Sequence, residues 1–487
     1  MSKPVIIYDD SYNANQDVKN IIGNKSFGQI IYKKHTLKEI YLENIKNTIN
    51  DFYYCELNHI DQIDEFMDSL KKHEESQLFI HIYSSFIIKD KDEFSILISK
   101  YKYIKQNYFI KQNKLAFLMF YSYEEYMKFL RYCKQKKTNQ IMPSSINITG
   151  IDSNALFDIS TESQFIKFHS NTFESRFFNS VKSNEFTVLK TSTNKEKIYK
   201  EYKFYNLLPE SMKYWFVMPF NYKEEEKISS YEMERLHMVD IGIRWIHKAI
   251  EEQEFEQILN KSFKFIDERC KKTIDSTLYK QLEQDLYINK LDERINDFKQ
   301  LEFYTKMDHY IKNGTCYNSI DDIIIEYKNL FNKINKNKAK DKIMVIGHGD
   351  LCFSNMLYNK QVDMLRLIDP KGAKTEQELW TNPFYDIAKL SHSICGLYDF
   401  INNGLFDIQL DDKLQLKLVI DQDMILYKNI FKKYLNKNNI DYNMIRIYEA
   451  SLFLSMLPLH AENDKKVLGF ILNAINIMNE VKECLKI

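Results

Sequence analysis

The stretch from residue 343 to 373 constrains this chain more than any other part of its sequence. An apolar run, 343–346, leads directly into a Gly-His-Gly-Asp sequence that ends at Asp350. Asn355 follows five residues later, and a second run of strand-forming residues ends at Asp369. Short apolar runs bounded by Gly, Asn and Asp are typical of strands and their turns. The stretch therefore predicts two neighbouring strands, each followed by polar side chains.

An acid and an amide on one loop, with a second acid at the end of the next strand, are the groups that phosphoryl-transfer sites use. One carboxylate accepts the proton of the attacking hydroxyl, while the amide and the other carboxylate hold Mg²⁺ on the nucleotide phosphates. The alternative is a hairpin with polar residues in its turns, since Gly, Asp and Asn are ordinary turn residues. The combined spacing favours the phosphoryl-transfer site.

The spacing resembles the HGDxxxxN…D pattern of aminoglycoside phosphotransferases and choline kinases, which are protein-kinase-like small-molecule kinases. The resemblance implies that Asp350 is the catalytic base and that His348 braces its loop as part of the catalytic group. It also implies that Asn355 and Asp369 are the Mg²⁺ ligands.

A second pair of residues precedes this stretch. Lys190 ends a strand-like run that includes Val188 and Leu189, and Glu201 lies in the helical run 195–208. The arrangement resembles the kinase pair in which Lys neutralises the α- and β-phosphates and Glu orients the Lys. Ordinary surface residues of a strand and a helix are the alternative.

The nucleotide-binding hairpin of a kinase would begin with the run Phe165–His169, for which we predict a strand. The turn after it contains Ser170 and Asn171 and no glycine, so hydroxyl or backbone donors would have to contact phosphate there. By order along the chain, Met233 and Glu234 fall where the kinase hinge binds adenine through its backbone.

The region from 238 to 340 is charged and predicted to be helical, as expected of a lobe that builds an acceptor site. Within it, Lys290 and its charged neighbours could line an acceptor pocket, although a solvated helix face is the simpler interpretation. Asp386 opens a helix that in the resembling family braces the catalytic loop. The run 411–436 is predicted to be an amphipathic helix of the C-terminal tail.

The first 150 residues alternate strand-like and helix-like runs, which predicts a mainly parallel sheet covered by helices, as in a Rossmann-like or nucleotidyltransferase-like layer. No glycine-rich turn follows the first strand, so no dinucleotide or P-loop fingerprint is present. Asp9 and Asp10 end that strand, and the sequence favours a solvated strand end over a ligand site there. The role of this domain is not defined by the sequence.

A stretch rich in Ser, Thr and Asn, 138–163, is the predicted domain boundary. We accordingly predict an α/β domain over 1–150 and an α+β, two-lobed, protein-kinase-like domain over 163–487. Its N-terminal lobe would cover about 163–238, and its helix-rich C-terminal lobe about 239–487.

Composition excludes several classes of protein. Lys+Arg and Asp+Glu both number 68, so the chain has no net positive charge that would favour binding to nucleic acid or to an anionic membrane. The seven cysteines have no metal-binding spacing and predict free, buried thiols in a reducing compartment. Neither a signal peptide nor a membrane-spanning run is evident, so we expect a cytoplasmic protein.

These observations together predict an ATP- and Mg²⁺-dependent phosphotransferase that acts on a hydroxyl of a small molecule. A sugar, amino alcohol or amino acid used in capsule or surface-polysaccharide synthesis is the acceptor that the resemblance suggests. The alternative is a catalytically idle kinase-like binding module attached to a transferase-like N-terminal domain. A protein kinase is disfavoured because HRD and APE segments are absent. The acceptor, the choice between ATP and GTP, and the oligomeric state stay open.

Overall fold

The computed structural model describes residues 3–32, 34–103, 105–170, 179–184, 186–335, 342–420 and 423–486. The chain divides into two compact units, Met1–His169 and Ser170–Ile487. This division lies a few residues after the Ser-, Thr- and Asn-rich stretch. Within the described part of the chain, no helix is both long enough and apolar enough to cross a membrane.

The first unit contains ten strands and six α-helices in its described residues. The strands are Val5–Asp9 (β1), Ile31–Tyr32 (β2), His35–Thr36 (β3), Tyr53–Leu57 (β4), Phe79–Tyr83 (β5), Phe86–Ile88 (β6), Tyr108–Lys111 (β7), Leu115–Phe120 (β8), Thr149–Gly150 (β9) and Leu156–Asp158 (β10). The helices are Gln16–Ile22 (α1), Leu37–Lys46 (α2), Ile63–Leu70 (α3), Lys91–Ser99 (α4), Tyr123–Lys136 (α5) and Glu162–Ser170 (α6).

The main sheet of the first unit is mixed, with three parallel strand pairs, β1–β4, β1–β5 and β7–β9, and two antiparallel pairs in the described residues. Its strand order is β4-β1-β5-β8-β7-β9. Strand β1 runs parallel to β4 and β5, whereas β8 is antiparallel to β5 and β7. Strands β1, β5 and β8 are buried along their whole length, which explains their nearly continuous apolar sequences.

The acids at the end of β1 are held by the protein, so the expectation of a solvated strand end is wrong for Asp9. Its side chain is fully buried, accepts a hydrogen bond of 2.6 Å from the Ser11 hydroxyl and lies 2.8 Å from His81 Nε2. Asp10 accepts hydrogen bonds from the Ser26 hydroxyl and the Gly28 amide. Buried carboxylates require such donors.

The second unit contains twelve strands and thirteen α-helices in its described residues. The strands are Asn179–Ser183 (β11), Thr187–Ser192 (β12), Pro219–Glu224 (β13), Ser229–Glu234 (β14), Val239–Asp240 (β15), Lys271–Thr273 (β16), Ile343–Ile346 (β17), Met356–Asn359 (β18), Met364–Leu367 (β19), Trp380–Thr381 (β20), Phe406–Leu410 (β21) and Leu414–Leu418 (β22). The helices are Lys195–Leu207 (α7), Glu210–Lys213 (α8), Ile241–Ile246 (α9), Glu252–Glu268 (α10), Ser276–Gln284 (α11), Lys290–Lys299 (α12), Tyr304–Gly314 (α13), Ile320–Asn335 (α14), Tyr385–Ile394 (α15), Tyr398–Asn402 (α16), Ile425–Lys437 (α17), Tyr442–Ser455 (α18) and Asp464–Leu485 (α19).

A small antiparallel sheet opens the second unit, and helices dominate the remainder. The sheet has the order β11-β12-β14-β13 and is accompanied by α7. Two three-stranded sheets, β15-β18-β19 and β16-β17-β20, follow among the helices. Strands β17, β18 and β19 carry the sequence that bounds the predicted catalytic residues.

Two predicted elements differ from the structure. The run 165–169 lies in helix α6 rather than in a strand, because Phe165, Ile166 and Phe168 fall at helical spacing and are buried. The Thr161 carbonyl accepts the first helical hydrogen bond, from the amide of Phe165. The run 411–436 is divided between the β21–β22 hairpin and α17, so its first part is not helical.

Candidate active site

The loop that follows β17 is fixed by one buried carboxylate. Asp386, in the first turn of α15, accepts hydrogen bonds from the backbone amides of His348 (3.0 Å) and Gly349 (2.8 Å). Arg269 neutralises the same carboxylate at 2.9 Å. Gly349 has φ = +78°, a left-handed conformation that favours glycine. These contacts set the direction in which the loop presents Asp350.

His348 lies within the protein beneath this loop. Its Nδ1 accepts a hydrogen bond from the Asp350 amide (3.1 Å), so Nε2 carries the proton and donates it to the Ile368 carbonyl (2.9 Å). Its ring stacks on Phe216, with centroids 5.8 Å apart. Burial lowers the pKa of this imidazole despite the nearby carboxylates, which favours the neutral form. His348 thus links the Asp350 loop to the end of β19.

Asp350 is paired with a lysine that the sequence analysis did not identify. Its Oδ1 lies 2.9 Å from Lys389 Nζ, and its Oδ2 accepts a hydrogen bond from the Asn355 carboxamide at 3.0 Å. Partial desolvation raises the pKa of Asp350, but the Lys389 charge and these hydrogen bonds outweigh it and hold the pKa at about 2. The side chain is 41% exposed, so the ionised carboxylate can contact a ligand.

Asn355 and Asp369 are adjacent, because the amide of Ile368 donates to the Asn355 carbonyl (3.0 Å). The Asn355 amide nitrogen is directed to Asp350, so its side-chain oxygen faces away from that contact. Asp369 has φ = +54°, a left-handed conformation that is uncommon for a residue with a Cβ and that Asp and Asn adopt more readily than most. Carboxylate and amide oxygens are ligands that suit Mg²⁺, so the two residues fit the predicted metal site.

Lys190 connects the small sheet to this site. Its Nζ lies 2.7 Å from Glu201 Oε2 and 2.8 Å from Asp369 Oδ1. Tyr231 is opposite Lys190 in the sheet, and its hydroxyl donates to Glu201 (3.1 Å). Burial alone lowers the pKa of Lys190, but the Asp369 charge and the other neighbours raise it well above its ordinary value. The ammonium is therefore charged.

The segment after Asp369 packs directly against helix α7, which carries Glu201. The amide of Ala373 donates to the Lys200 carbonyl (3.0 Å). Gly372 has φ = +86°, and a Cβ there would lie only 2.8 Å from the backbone carbon of Lys200. Only glycine permits this approach, so the positions of Asp369 and Glu201 are coupled through the backbone.

The predicted adenine-binding residues are placed differently from each other. Met233 lines a cleft together with Tyr231, Leu367 and Asp369, among others. Glu234, at the end of β14, is exposed and is not among the residues that line the cleft.

The residues predicted to contact phosphate are Ser170 and Asn171. Ser170 ends helix α6, while Asn171 and the turn predicted around it lie outside the described residues. The contact of Ser170 and Asn171 with phosphate therefore stays a prediction.

Sequence reasoning missed Lys389, Arg269 and the role of Tyr231. A signal for Lys389 was present, because it interrupts the apolar run of α15 between Ala388 and Leu390. A lysine on a buried helix face requires a charged or polar partner. No comparable local signal exists for Arg269, which is far from Asp386 in sequence.

Asp386→Ala should destabilise the second unit strongly. The change leaves Arg269 as an unpaired buried cation and removes the acceptor of two backbone amides. Breaking a buried ion pair costs about 3–5 kcal/mol, which chemical denaturation monitored by tryptophan fluorescence would measure. The exposed Asp412→Ala serves as the control and should change the free energy of unfolding by no more than about 0.5 kcal/mol. Equal effects of the two substitutions would contradict the bracing role.

Comparisons with known proteins give matches only among solved structures. No protein-family model and no curated protein matches the chain. A thermostable mutant of aminoglycoside phosphotransferase APH(4)-Ia, in complex with ADP and hygromycin B, is 10% identical and has a TM-score of 0.37. It covers 65% of this chain and 97% of its own.

Two further solved structures cover a similar share of this chain. Aminoglycoside 2'-phosphotransferase-IIIa in complex with GDP is 12% identical, with a TM-score of 0.38, and covers 64% of this chain and 92% of its own. An ethanolamine kinase from Plasmodium vivax is 13% identical, with a TM-score of 0.30, and covers 63% of this chain and 80% of its own. All three are small-molecule kinases by name.

Proposed function

We propose that the second unit is a phosphotransferase that moves the γ-phosphoryl group of ATP to a hydroxyl of a small molecule. The observation that carries this proposal is the continuous set of contacts from Glu201 through Lys190 to Asp369, beside the Asp350–Asn355 pair. These are the groups that phosphoryl transfer requires, since its catalysis rests on positioning and charge stabilisation.

The reaction assigned to these residues is an in-line displacement. The acceptor oxygen forms a bond to the γ-phosphorus while the bond from that phosphorus to the β,γ-bridging oxygen breaks, and ADP leaves with the electron pair. Asp350 orients the acceptor hydroxyl and receives its proton. A pKa of about 2 makes this carboxylate a weak base, which suits a loose transition state in which little proton transfer is needed early.

Lys190 would neutralise the α- and β-phosphates, and Glu201 would hold it in place. In the structure Lys190 contacts Asp369 directly, at 2.8 Å, so nucleotide binding would place phosphate oxygens beside this ion pair. Asn355 and Asp369 would hold Mg²⁺, which when bound offsets the negative charge of the phosphates. Adenine would lie near Met233, at the end of β14.

Lys389 is assigned a positioning role for Asp350. Lys389→Met should raise the pKa of Asp350 toward or above its ordinary value of about 3.9, because burial would then act without the opposing ammonium. A rate that is flat with pH in the wild type should therefore decrease on the acid side in the variant, because Asp350 would be protonated at a higher pH. The pH profile of phosphate transfer would measure this change.

The exposed Lys433→Met, on α17, is the matched control for the loss of one lysine, and it should retain the wild-type profile. A uniform loss of rate at every pH in Lys389→Met, without a new acid limb, would contradict the effect on Asp350. That result would indicate that Lys389 acts on the transferred phosphoryl group or on folding alone.

The proposed acceptors are small molecules that bear a hydroxyl: a sugar, an amino alcohol or an amino acid. Thermal denaturation with ATP or GTP, with and without Mg²⁺, tests the nucleotide site first. A ligand that binds only the native state at about 100 times its Kd adds about 2.7 kcal/mol of stability. A Mg²⁺-dependent rise in Tm supports the proposal, and no rise at saturating nucleotide would overturn it. Nucleotide binding without transfer to any acceptor class would favour an idle binding module.

A further inference from the structure

A second cation lies beyond the Asp350–Lys389 pair. Lys290, the first residue of α12, donates a hydrogen bond of 2.9 Å to the Tyr385 hydroxyl and also lies 5.3 Å from the centre of its ring. Tyr385 precedes Lys389 by four residues on α15, so the two side chains share one helix face. Asp350, Lys389, Tyr385 and Lys290 therefore line the same side of the site.

Lys290 forms no ion pair with an acid among the residues that the structure describes, whereas the buried cations Lys190, Arg269 and Lys389 each have an acidic partner. The nearby buried acid, Glu283, accepts a hydrogen bond from the Tyr448 hydroxyl. Asp350 is paired with Lys389. The half-buried Lys290 ammonium has three N–H donors and uses one of them on the Tyr385 hydroxyl. The remaining donors are available for an anion.

The charge around the Tyr385 hydroxyl is positive. Burial alone raises the pKa of this phenol, but the charges of Lys290 and Lys389 outweigh it and lower the pKa below its ordinary value. Asp350 is the acid that opposes them. A cationic acceptor placed here would meet two ammonium groups at short range, and like charges at such distances repel.

The backbone just before Lys290 departs from regular α-helix. A single π-helical turn, Asp285–Asn289, immediately precedes it. Such turns are rare and are frequently found at functional sites. Here the turn joins α11 to α12 and places Tyr287 in the core beside Tyr385, while Lys290 stays half-buried.

We propose that Lys290 and the Tyr385 hydroxyl form an anion-binding subsite for the acceptor, next to Asp350. The acceptor would carry a carboxylate or a phosphate group a few atoms from the hydroxyl that receives the phosphoryl group. This inference rests on the proposed function, because it places the subsite relative to the transferring site. It narrows the acceptor classes proposed above to those with an anionic group, and it excludes an amino alcohol whose only charge is a quaternary or primary ammonium.

Isothermal titration can test the subsite with simple probes on the full-length chain. The protein is first saturated with Mg²⁺ and AMP-PNP, which occupies the γ-phosphate position and prevents added phosphate from binding there. Inorganic phosphate, acetate and choline chloride are then titrated separately at constant ionic strength. We expect phosphate or acetate to bind and choline not to bind, and the comparison of the two anions identifies the preferred group.

Variants separate this subsite from other basic surfaces. Lys290→Gln should weaken binding of the anion at least tenfold, Lys290→Arg should retain most of it, and Tyr385→Phe should reduce it less. Lys280→Gln, an exposed lysine on α11, is the matched control and should bind as the wild type does. AMP-PNP affinity should be the same in all four variants, which shows that each is folded.

Each other outcome overturns the inference. No anion binding to the wild type, equal binding by Lys290→Gln, or tighter binding of choline would show that the Lys290–Tyr385 contact only joins two helices. Failure of the wild type to bind AMP-PNP would instead overturn the proposed function, and this inference with it. The two failures are thus distinguished by the first titration.

Discussion

Asp350→Ala is expected to reduce phosphoryl transfer by a factor of about 10² to 10⁴, the range that a positioned acid or base contributes. Binding of Mg²⁺ and nucleotide should change little, because Asp350 does not contact Lys190 and holds the proposed metal ligand Asn355 through its carboxamide nitrogen rather than its oxygen. Single-turnover transfer from γ-labelled ATP measures the first quantity, and titration with AMP-PNP measures the second.

Two further variants sharpen this result. Asp350→Asn retains the shape of the side chain and should lose nearly as much rate, because an amide cannot accept the hydroxyl proton. Asp363→Asn removes an acid from the β18–β19 turn, where φ is +47° and Asn is tolerated, so it should retain wild-type transfer. A loss of AMP-PNP binding in Asp350→Ala comparable to its loss of rate would contradict the division between acceptor and nucleotide residues.

The sequence was most informative where the candidate functional residues lie in short segments with clear strand, turn or helix patterns. The residues Asp350, Asn355 and Asp369 lie within one short stretch, and their glycine and strand context determines their placement. Lys190 and Glu201 were predicted from a strand followed by a helix, and the structure brings them to 2.7 Å. Local patterns of this kind limit the possible geometries because few backbone conformations satisfy them.

Long-range partners could not be predicted in the same way. Arg269 and Asp386 meet across more than a hundred residues, and the Lys290–Tyr385 contact joins two helices that are also distant in sequence. Pairing of this type depends on how helices pack, which a single sequence does not specify. Lys389 could be predicted only in part, because its apolar neighbours indicate that it is buried but do not identify Asp350 as its partner.

The errors in secondary structure arose from short aromatic and alternating patterns. Phe165–His169 has strong strand propensity, yet its apolar residues also satisfy the helical period, and the structure has a helix there. The reverse occurred at 414–418, where alternating Leu and polar residues form one strand of a hairpin. In both segments a period of two and a period near four fit the same few residues, and tertiary packing decides between them.

The contacts of Asp369 explain why one change there should affect several functions at once. Its carboxylate pairs with Lys190, its backbone follows the strand that contacts Asn355, and the segment after it packs on the helix of Glu201. A cation bound at Asp369 would therefore affect both the position of Lys190 in the small sheet and that of Asn355 in the catalytic loop. The left-handed backbone at Asp369 maintains this position and restricts the substitutions that test it.

Asp369→Asn should remove Mg²⁺-dependent nucleotide binding while the fold is retained. Asn tolerates the left-handed backbone at this position, with φ = +54°, whereas Ala would add strain. Without the carboxylate, Mg²⁺ loses an anionic ligand, and Lys190 retains Glu201 as its partner. We expect the rise in Tm with Mg²⁺ and AMP-PNP to disappear, and the affinity measured by titration to fall by more than about a hundredfold, which corresponds to about 2.7 kcal/mol.

Lys190→Met provides the comparison that separates the metal from the phosphate contacts. It should weaken the binding of ATP more than that of adenosine, because the ammonium would contact the phosphates of the nucleotide and not its nucleoside part, and it should do so whether or not Mg²⁺ is present. In contrast, Asp369→Asn should leave nucleotide affinity in EDTA nearly unchanged. An Asp369→Asn protein that binds Mg²⁺ and AMP-PNP as tightly as the wild type would rule out Asp369 as the metal ligand and direct attention to Asp350 and Asn355 for that role.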